Sequence, residues 1–346
     1  MKRRIWFIGV ALLVPVGMLF VAAQEKSGAR SYFIALVKSD LPQIIWSRDG
    51  KFVRITQRFL LGQGNRTSQA VEWVFNASSR KRIHPTQKQC EALFSYPEGV
   101  YERNWRTGAV SIRLAGSSRW VRLQGVTSDG ANPEHVGKWV LAGVGYAPDK
   151  SAVFLAWNQE VGTWSTRTGQ LVRRVKFHPR GLESANCRMD NVGFSPLGSA
   201  FSASWKVFSP GWGLEGKQMQ GVFDAQTGRQ KFAVPPGQIV FSPRASVVSS
   251  LIRVEGGRGG QLEIRNATNG QVLWKAYTQD TFQFIQEKPL VVLRGQNDFE
   301  VRDENTGAIV RRVQAPQTSD SSWSVAPDGL QVWTWKNGNV LAWRLR

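Results

Sequence analysis

The chain has 346 residues, with 45 Lys+Arg against 25 Asp+Glu and a formal net charge of +20. At 42% hydrophobic and 20% charged it is too apolar for a disordered chain and ordinary for a globular one. Two Cys exclude a disulfide-dense scaffold, and three scattered His argue against a His-based metal centre.

At the N-terminus Lys2, Arg3 and Arg4 precede an uncharged run of 19 residues, Ile5–Ala23. A basic start, an apolar stretch and small residues at Val21-Ala22-Ala23 predict a secretory signal. The alternative is an uncleaved membrane anchor, since such a run just spans a bilayer of about 30 Å. Residues 1–23 are therefore set apart, 24–30 read as a linker, and the folded body is expected over 31–346. By the positive-inside rule that body is extracytoplasmic: secreted, periplasmic or held at the membrane by residues 5–23. Removing residues 1–23 takes away three positive charges and leaves +17.

A repeat runs through the rest. An apolar stretch ends in an aromatic, a small residue and a turn at Trp46-Ser47-Arg48-Asp49-Gly50, Phe94-Ser95-Tyr96-Pro97-Glu98-Gly99 and Tyr146-Ala147-Pro148-Asp149. It returns at Phe194-Ser195-Pro196-Leu197-Gly198, Phe241-Ser242-Pro243 and Trp323-Ser324-Val325-Ala326-Pro327-Asp328-Gly329, with a degraded copy at Phe284. The seven aromatics are spaced by 48, 52, 48, 47, 43 and 39 residues, enough for four short strands per unit.

A second element places Ser, Asp or Asn after an apolar strand, with Gly four residues on. Its copies are Ser165 to Gly169, Asp224 to Gly228, Asn266 to Gly270 and Asp303 to Gly307. Asn76 opens a fifth copy, with Arg80 where Gly would stand. Such a side chain folds onto the backbone ahead, and Gly accepts positive φ without steric cost. Near the C-terminus Gln331–Trp335 alternates, turns at Asn337-Gly338 and resumes at Val340–Trp343, which predicts a hairpin. No long segment with helical periodicity follows residue 30. The fold predicted is all-β: a seven-bladed β-propeller of four-stranded antiparallel blades. The last unit runs out after three strands, and Ser31–Val37 is expected to supply its outer strand and close the ring.

These turns resemble those of WD-repeat propellers in their degenerate bacterial form, over about residues 40–346. No unit carries Gly-His and none ends in Trp-Asp, so the buried His–Asp network of regular members is absent. Thr268–Lys275 is also similar to the pyrroloquinoline-quinone-type propeller repeat, in a single copy with Trp274. The resemblance implies a binding platform, with no cofactor and no particular activity.

Among the 15 Trp, Trp73, Trp164, Trp333, Trp335 and Trp343 are expected to pack between units. Trp205 and Trp212 fall around Ser209-Pro210-Gly211-Trp212-Gly213, and a Trp in a Gly/Pro-rich loop is a binding candidate. Arg80, Lys81, Arg82, Arg173, Arg174, Arg311 and Arg312 lie on the expected outermost strands. Charge there guards an edge against pairing. It also suits an anionic partner: a cell-wall polymer, lipid head groups or an acidic protein. Nucleic acid is disfavoured, because an exported body rarely meets it and no recognition motif is present. Three functions are weighed. The first is a non-enzymatic scaffold for a protein or anionic polymer. The second is a lyase or hydrolase with Asp49, Asp149 and Asp190 near a central channel. The third is a structural subunit of an envelope assembly. His84, His135 and His178 are isolated and fit no nucleophile or metal motif. Cys90 and Cys187 are expected just before the first strands of units two and four, as separate thiols.

Overall fold

A computed structural model describes residues 43–47, 49–60, 68–94, 99–104, 109–114, 117–126, 141–157, 160–181, 187–207, 218–253, 259–279, 281–315, 322–336 and 339–345. The expected signal or anchor, the linker and the strand at 31–37 lie outside them. Seven antiparallel sheets follow one another along the chain, each an up-and-down meander. Sheet 1 is β1 (Gln43–Trp46), β2 (Phe52–Leu60), β3 (Ser68–Asn76) and β4 (Arg82–Ile83). After helix α1 (Gln87–Phe94), sheet 2 has three strands: β5 (Gly99–Arg103), β6 (Val110–Leu114) and β7 (Val121–Arg122). Sheet 3 is β8 (Leu141–Tyr146), β9 (Ala152–Trp157), β10 (Glu160–Ser165) and β11 (Leu171–Lys176). Sheet 4 is β12 (Cys187–Phe194), β13 (Ala200–Val207), β14 (Gln218–Asp224) and β15 (Gln230–Val234). Sheet 5 is β16 (Gln238–Phe241), β17 (Val247–Arg253), β18 (Gly260–Asn266) and β19 (Val272–Thr278). Sheet 6 is β20 (Phe282–Phe284), β21 (Leu290–Arg294), β22 (Asp298–Asp303) and β23 (Ile309–Gln314). Sheet 7 is β24 (Ser322–Val325), β25 (Gln331–Lys336) and β26 (Asn339–Arg344).

Apolar clusters join successive sheets. Ile112 of sheet 2 packs with Val153, Leu155 and Trp164 of sheet 3. Ala156 and Val161 of sheet 3 meet Phe201, Trp205 and Phe223 of sheet 4. Val222 and Val234 meet Phe241 and Val248, Leu262 and Ile264 meet Val291 and Leu293, and Phe299 and Val301 meet Trp323 and Val332. The last sheet packs on the first: Trp333 and Trp335 join Val53 and Ile55, with Trp73 5.2 Å from Trp335 and Trp46 edge-on to Trp333 at 5.8 Å. Helix α1 packs on sheet 1, with the Arg54 guanidinium 5.1 Å from the centre of the Phe94 ring. Seven sheets in succession, the second to the seventh packed in chain order and the last on the first, make the arrangement of a β-propeller.

The turn glycines lock neighbours together. In sheet 4 the turn opened by Asp224 ends at Gly228, with φ +70°, and a Cβ there would overlap the Lys176 carbonyl oxygen of sheet 3. The backbone closes the joint: His178 N–H donates to the Gly228 carbonyl at 3.0 Å, and Gln230 N–H donates to the His178 carbonyl. In sheet 6, Gly307 lies against the Trp274 ring of sheet 5 in the same way. Three turn positions hold positive φ without glycine: Arg80, Lys150 and Ala245.

Sheet 2 departs from the expected pattern. Phe94 ends helix α1 rather than a first strand, and the sheet has three strands among the described residues. The helix is set by a capping box at Thr86 and Gln89. Thr86 N–H donates to Gln89 Oε1 at 2.9 Å, and Gln89 N–H donates to Thr86 Oγ1 at 3.3 Å. Cys90 accordingly sits inside α1, while Cys187 opens β12 itself. Two substitutions probe the turns by urea denaturation. Gly228→Ala should cost about 2 kcal/mol or more, through its left-handed backbone and the Lys176 carbonyl. Ala245→Gly, which removes the same backbone strain, should gain roughly 0.5–1 kcal/mol.

Candidate functional site

Because neighbouring strands run antiparallel, each sheet has two different ends. The turns between its first and second strands and between its third and fourth share one end, which is short and hydrogen-bonded. Connections between second and third strands, and from sheet to sheet, share the other. Trp212 belongs to the latter, within 208–217, outside the described residues. Trp205 does not belong to a loop. It lies in β13, opposite Met189 and Met219, with no exposed surface. Its ring stands edge-on to Phe177 at 5.3 Å and to Phe223 at 5.5 Å. It is a core residue of the joint between sheets 3 and 4, which corrects the expectation that it contacts a ligand.

At the short end the aspartates are occupied by their own turns. Asp49 accepts from Ser47 Oγ at 2.7 Å and from Lys51 N–H at 3.1 Å; the Ser47 bond, more than any other group, holds its carboxyl below its usual range. Asp149 is lowered by Ser151, whose N–H and hydroxyl both donate to it. Burial pushes Asp224 up, but donation from Thr227 and Gln226 outweighs it, and the group ends below its ordinary value. Asp303 is lowered by the Thr306 N–H and hydroxyl and by Asn305 N–H. Asp49 and Asp149 thus serve separate turns, in sheets 1 and 3. Asp190 lies in β12, and its side chain is outside the description. Among the described residues, no three His, Cys, Asp or Glu converge as a metal site would require.

On the outer strands, carboxylates are taken up by neighbouring cations. Glu263 of β18 faces Lys275 of β19 at 2.6 Å and also pairs with Arg265. Glu300 of β22 faces Arg312 of β23 and pairs with Arg302 at 2.6 Å. Burial pushes both glutamates up, and the cations more than reverse it, so both stay low. Arg312 also reaches Asp298 at 3.2 Å, and Arg174 lies 3.7 Å from Glu160. Of the basic candidates, Arg174 and Arg312 are therefore engaged within their own sheets. Arg80, Lys81 and Arg82 at the β3–β4 turn, Arg173 in β11 and Arg311 in β23 are exposed. None of these five has an ion-pair partner among the described residues.

Sequence reasoning missed Glu304. Its place in the turn holds Ala77, Ala225 and Ala267 in sheets 1, 4 and 5, all buried. Glu304 is fully buried as well and reaches across to sheet 5, where Ser246 Oγ donates to it at 2.9 Å. Its Oε2 has no hydrogen-bond partner. Burial raises its carboxyl above the ordinary 4.5, against opposition from Ser246 and Arg244. A raised acid binds its proton more tightly when folded, so stability falls as pH rises through the gap between its unfolded and folded values. Glu304→Gln should therefore raise the Tm at neutral pH, and the gain should vanish below 4.5, where the wild-type carboxyl is protonated in both states. Thermal melts across that range check it.

No family model matches the chain, and no curated protein matches it. Among solved structures, Kuenenia stuttgartiensis hydrazine synthase aligns over 89% of this chain and 97% of that one, at 14% identity with a TM-score of 0.45.

Proposed function

We propose that the chain is an exported, non-enzymatic propeller of the WD-repeat-like kind, acting as a scaffold for an acidic protein or an anionic envelope polymer. One observation carries the reading: six carboxylates are engaged by their own turns and neighbouring strands, while exposed basic residues stand without ion-pair partners among the described residues. Asp49, Asp149, Asp224 and Asp303 are held in turns, and Glu263 and Glu300 lie in ion pairs. Arg80, Lys81, Arg82, Arg173 and Arg311 are among the basic residues left for a partner, on a chain with 45 basic and 25 acidic residues. A surface so biased attracts anions at long range and loses that attraction as salt screens it. Binding to poly-glutamate or polyphosphate, followed calorimetrically, should weaken steadily as ionic strength rises to about 0.15 M. Binding that ignores salt, or binding to neither polymer, overturns the reading. Residues 1–23 direct the export, and cell fractionation with a tagged C-terminus tests it.

The ring is completed, on this reading, by residues 31–37 lying beside β26. Sheet 7 ends on β26, a six-residue strand with no fourth strand among the described residues, and it packs on sheet 1, where the described chain begins at Gln43. The five residues 38–42 span up to about 17 Å extended, enough to cross three strands spaced about 4.8 Å apart. A chain beginning at residue 24 should keep full stability. One beginning at residue 38 should lose roughly 4 kcal/mol, the burial of two or so of Phe33, Ile34, Leu36 and Val37. Equal Tm values for the two would remove the closure.

A further inference from the structure

A cleft of about 650 Å³ opens at the short end between sheets 2 and 3, lined by Leu114, Asp149, Lys150, Ser151, Ser165 and Arg167, with Thr166 at its floor. A narrower extension of about 90 Å³ shares Leu114, Thr166 and Arg167 and adds Ser117 and Arg119. The cleft lies beside sheet 2, which has three strands among the described residues. Its outer strand β7 has two residues, and Leu114 leads to Val121 without the Asx-to-Gly turn of the other sheets.

Lys150 is the residue that needs explaining. It closes the first turn of sheet 3, Lys150 N–H donating to the Ala147 carbonyl at 2.8 Å, with φ +60°. The same position is Gly50, Gly198 and Gly329 in sheets 1, 4 and 7, and Ala245, at φ +56°, in sheet 5. At Gly198 a Cβ would stand 2.8 Å from Phe154 of the preceding sheet, and at Gly329 it would meet Ile285 at 2.5 Å. In sheet 3 a long cationic side chain that lines the cleft occupies a backbone conformation that disfavours it. What sets Lys150 apart from Ala245 is a cationic side chain that lines the cleft.

The chemistry of the lining is that of an oxyanion host. Lys150, Arg167 and Arg119 bring three cations and have no ion-pair partner among the described residues. The one carboxylate, Asp149, already accepts from Ser151 N–H at 3.0 Å and Ser151 Oγ at 2.7 Å. Ser165 Oγ accepts from Thr168 N–H at 3.3 Å, which leaves its own proton to donate. We infer that this cleft seats the oxyanion groups of the anionic partner: a phosphate or carboxylate between Lys150, Arg167 and the Ser165 hydroxyl, with a following group at Arg119. An ammonium supplies a point charge and a guanidinium a planar fork, a pairing that accepts either group. The inference rests on the polyanion-binding reading above and assigns it a location.

The test uses the full chain, calorimetric titration and two probes, polyphosphate and poly-glutamate, which separate the phosphate from the carboxylate source. Lys150→Gly restores the residue that the turn prefers, so its Tm should equal or exceed that of the wild type. Its affinity for the better-bound polymer should nonetheless fall about tenfold, the loss of a charge-assisted contact. Arg167→Gln should weaken the same polymer comparably. Arg82→Gln, on sheet 1 away from the cleft, should change affinity by less than either. If Lys150→Gly binds as tightly as the wild type while the wild type still binds in a salt-dependent way, the cleft is not the site and only this inference falls. If the wild type binds neither polymer, both fall together.

Discussion

No sheet of this chain can bury its two faces alone. Everything else depends on each sheet lending a face to the next, and the repeated sequence pattern is the means. Alternation along a strand such as β22 turns Phe299 and Val301 inward and leaves Asp298, Glu300 and Arg302 on the other side. The turns then fix the spacing between sheets, because Gly228 and Gly307 press backbone against the outer strand of the sheet before them. A side chain at either place would hold the two sheets apart. Turn and core are thus one device: the glycine sets how close two sheets come, and the apolar clusters fill the space that results.

That device also sorts the charges. A tight turn needs an acceptor for the N–H groups ahead of it, and a short carboxylate supplies one, as Asp303 does for Asn305 and Thr306. A third strand with Glu263 or Glu300 opposite a cation on the fourth strand needs no outside partner. These acidic residues are thereby drawn into local structure. Basic residues outnumber them, and the surplus stays on turns and edges. The functional reading is a consequence of this division, and the cleft beside sheet 2 marks where the repeat is least regular.

Where the repeat is regular, the sequence alone places the strands, since Asp, Asn or Ser followed by Gly four residues on announces each third-to-fourth strand turn. It fails where local chemistry competes. Phe94 carries the aromatic-Ser-turn signature, yet Thr86 and Gln89 cap a helix that ends on it, and that signal was present in the sequence. Trp205 was read by its neighbours: the Gly/Pro run at 209–213 lies beyond a strand that continues to Val207, so the ring belongs to the core. Glu304 shows the opposite error. A charged residue in a turn suggests exposure, and only the stacking of sheet 6 on sheet 5 reveals that this place is covered. Lys150 likewise looks ordinary until its backbone angle and its place in the cleft wall are known.

The tryptophans between the last sheet and the first have a kinetic and entropic meaning. Every other joint connects parts of the chain some 40 to 50 residues apart, whereas Trp73 and Trp335 are about 260 apart. Loop entropy grows only with the logarithm of length, so bringing these distant ends together costs about 1.5 kcal/mol more than forming any neighbouring joint. Two aromatic pairs, Trp73 with Trp335 and Trp46 with Trp333, contribute about that much beyond their buried area. A linear succession of modules can for that reason become a circle at little extra expense, with the indole rings concentrated at the seam where chain topology asks the most.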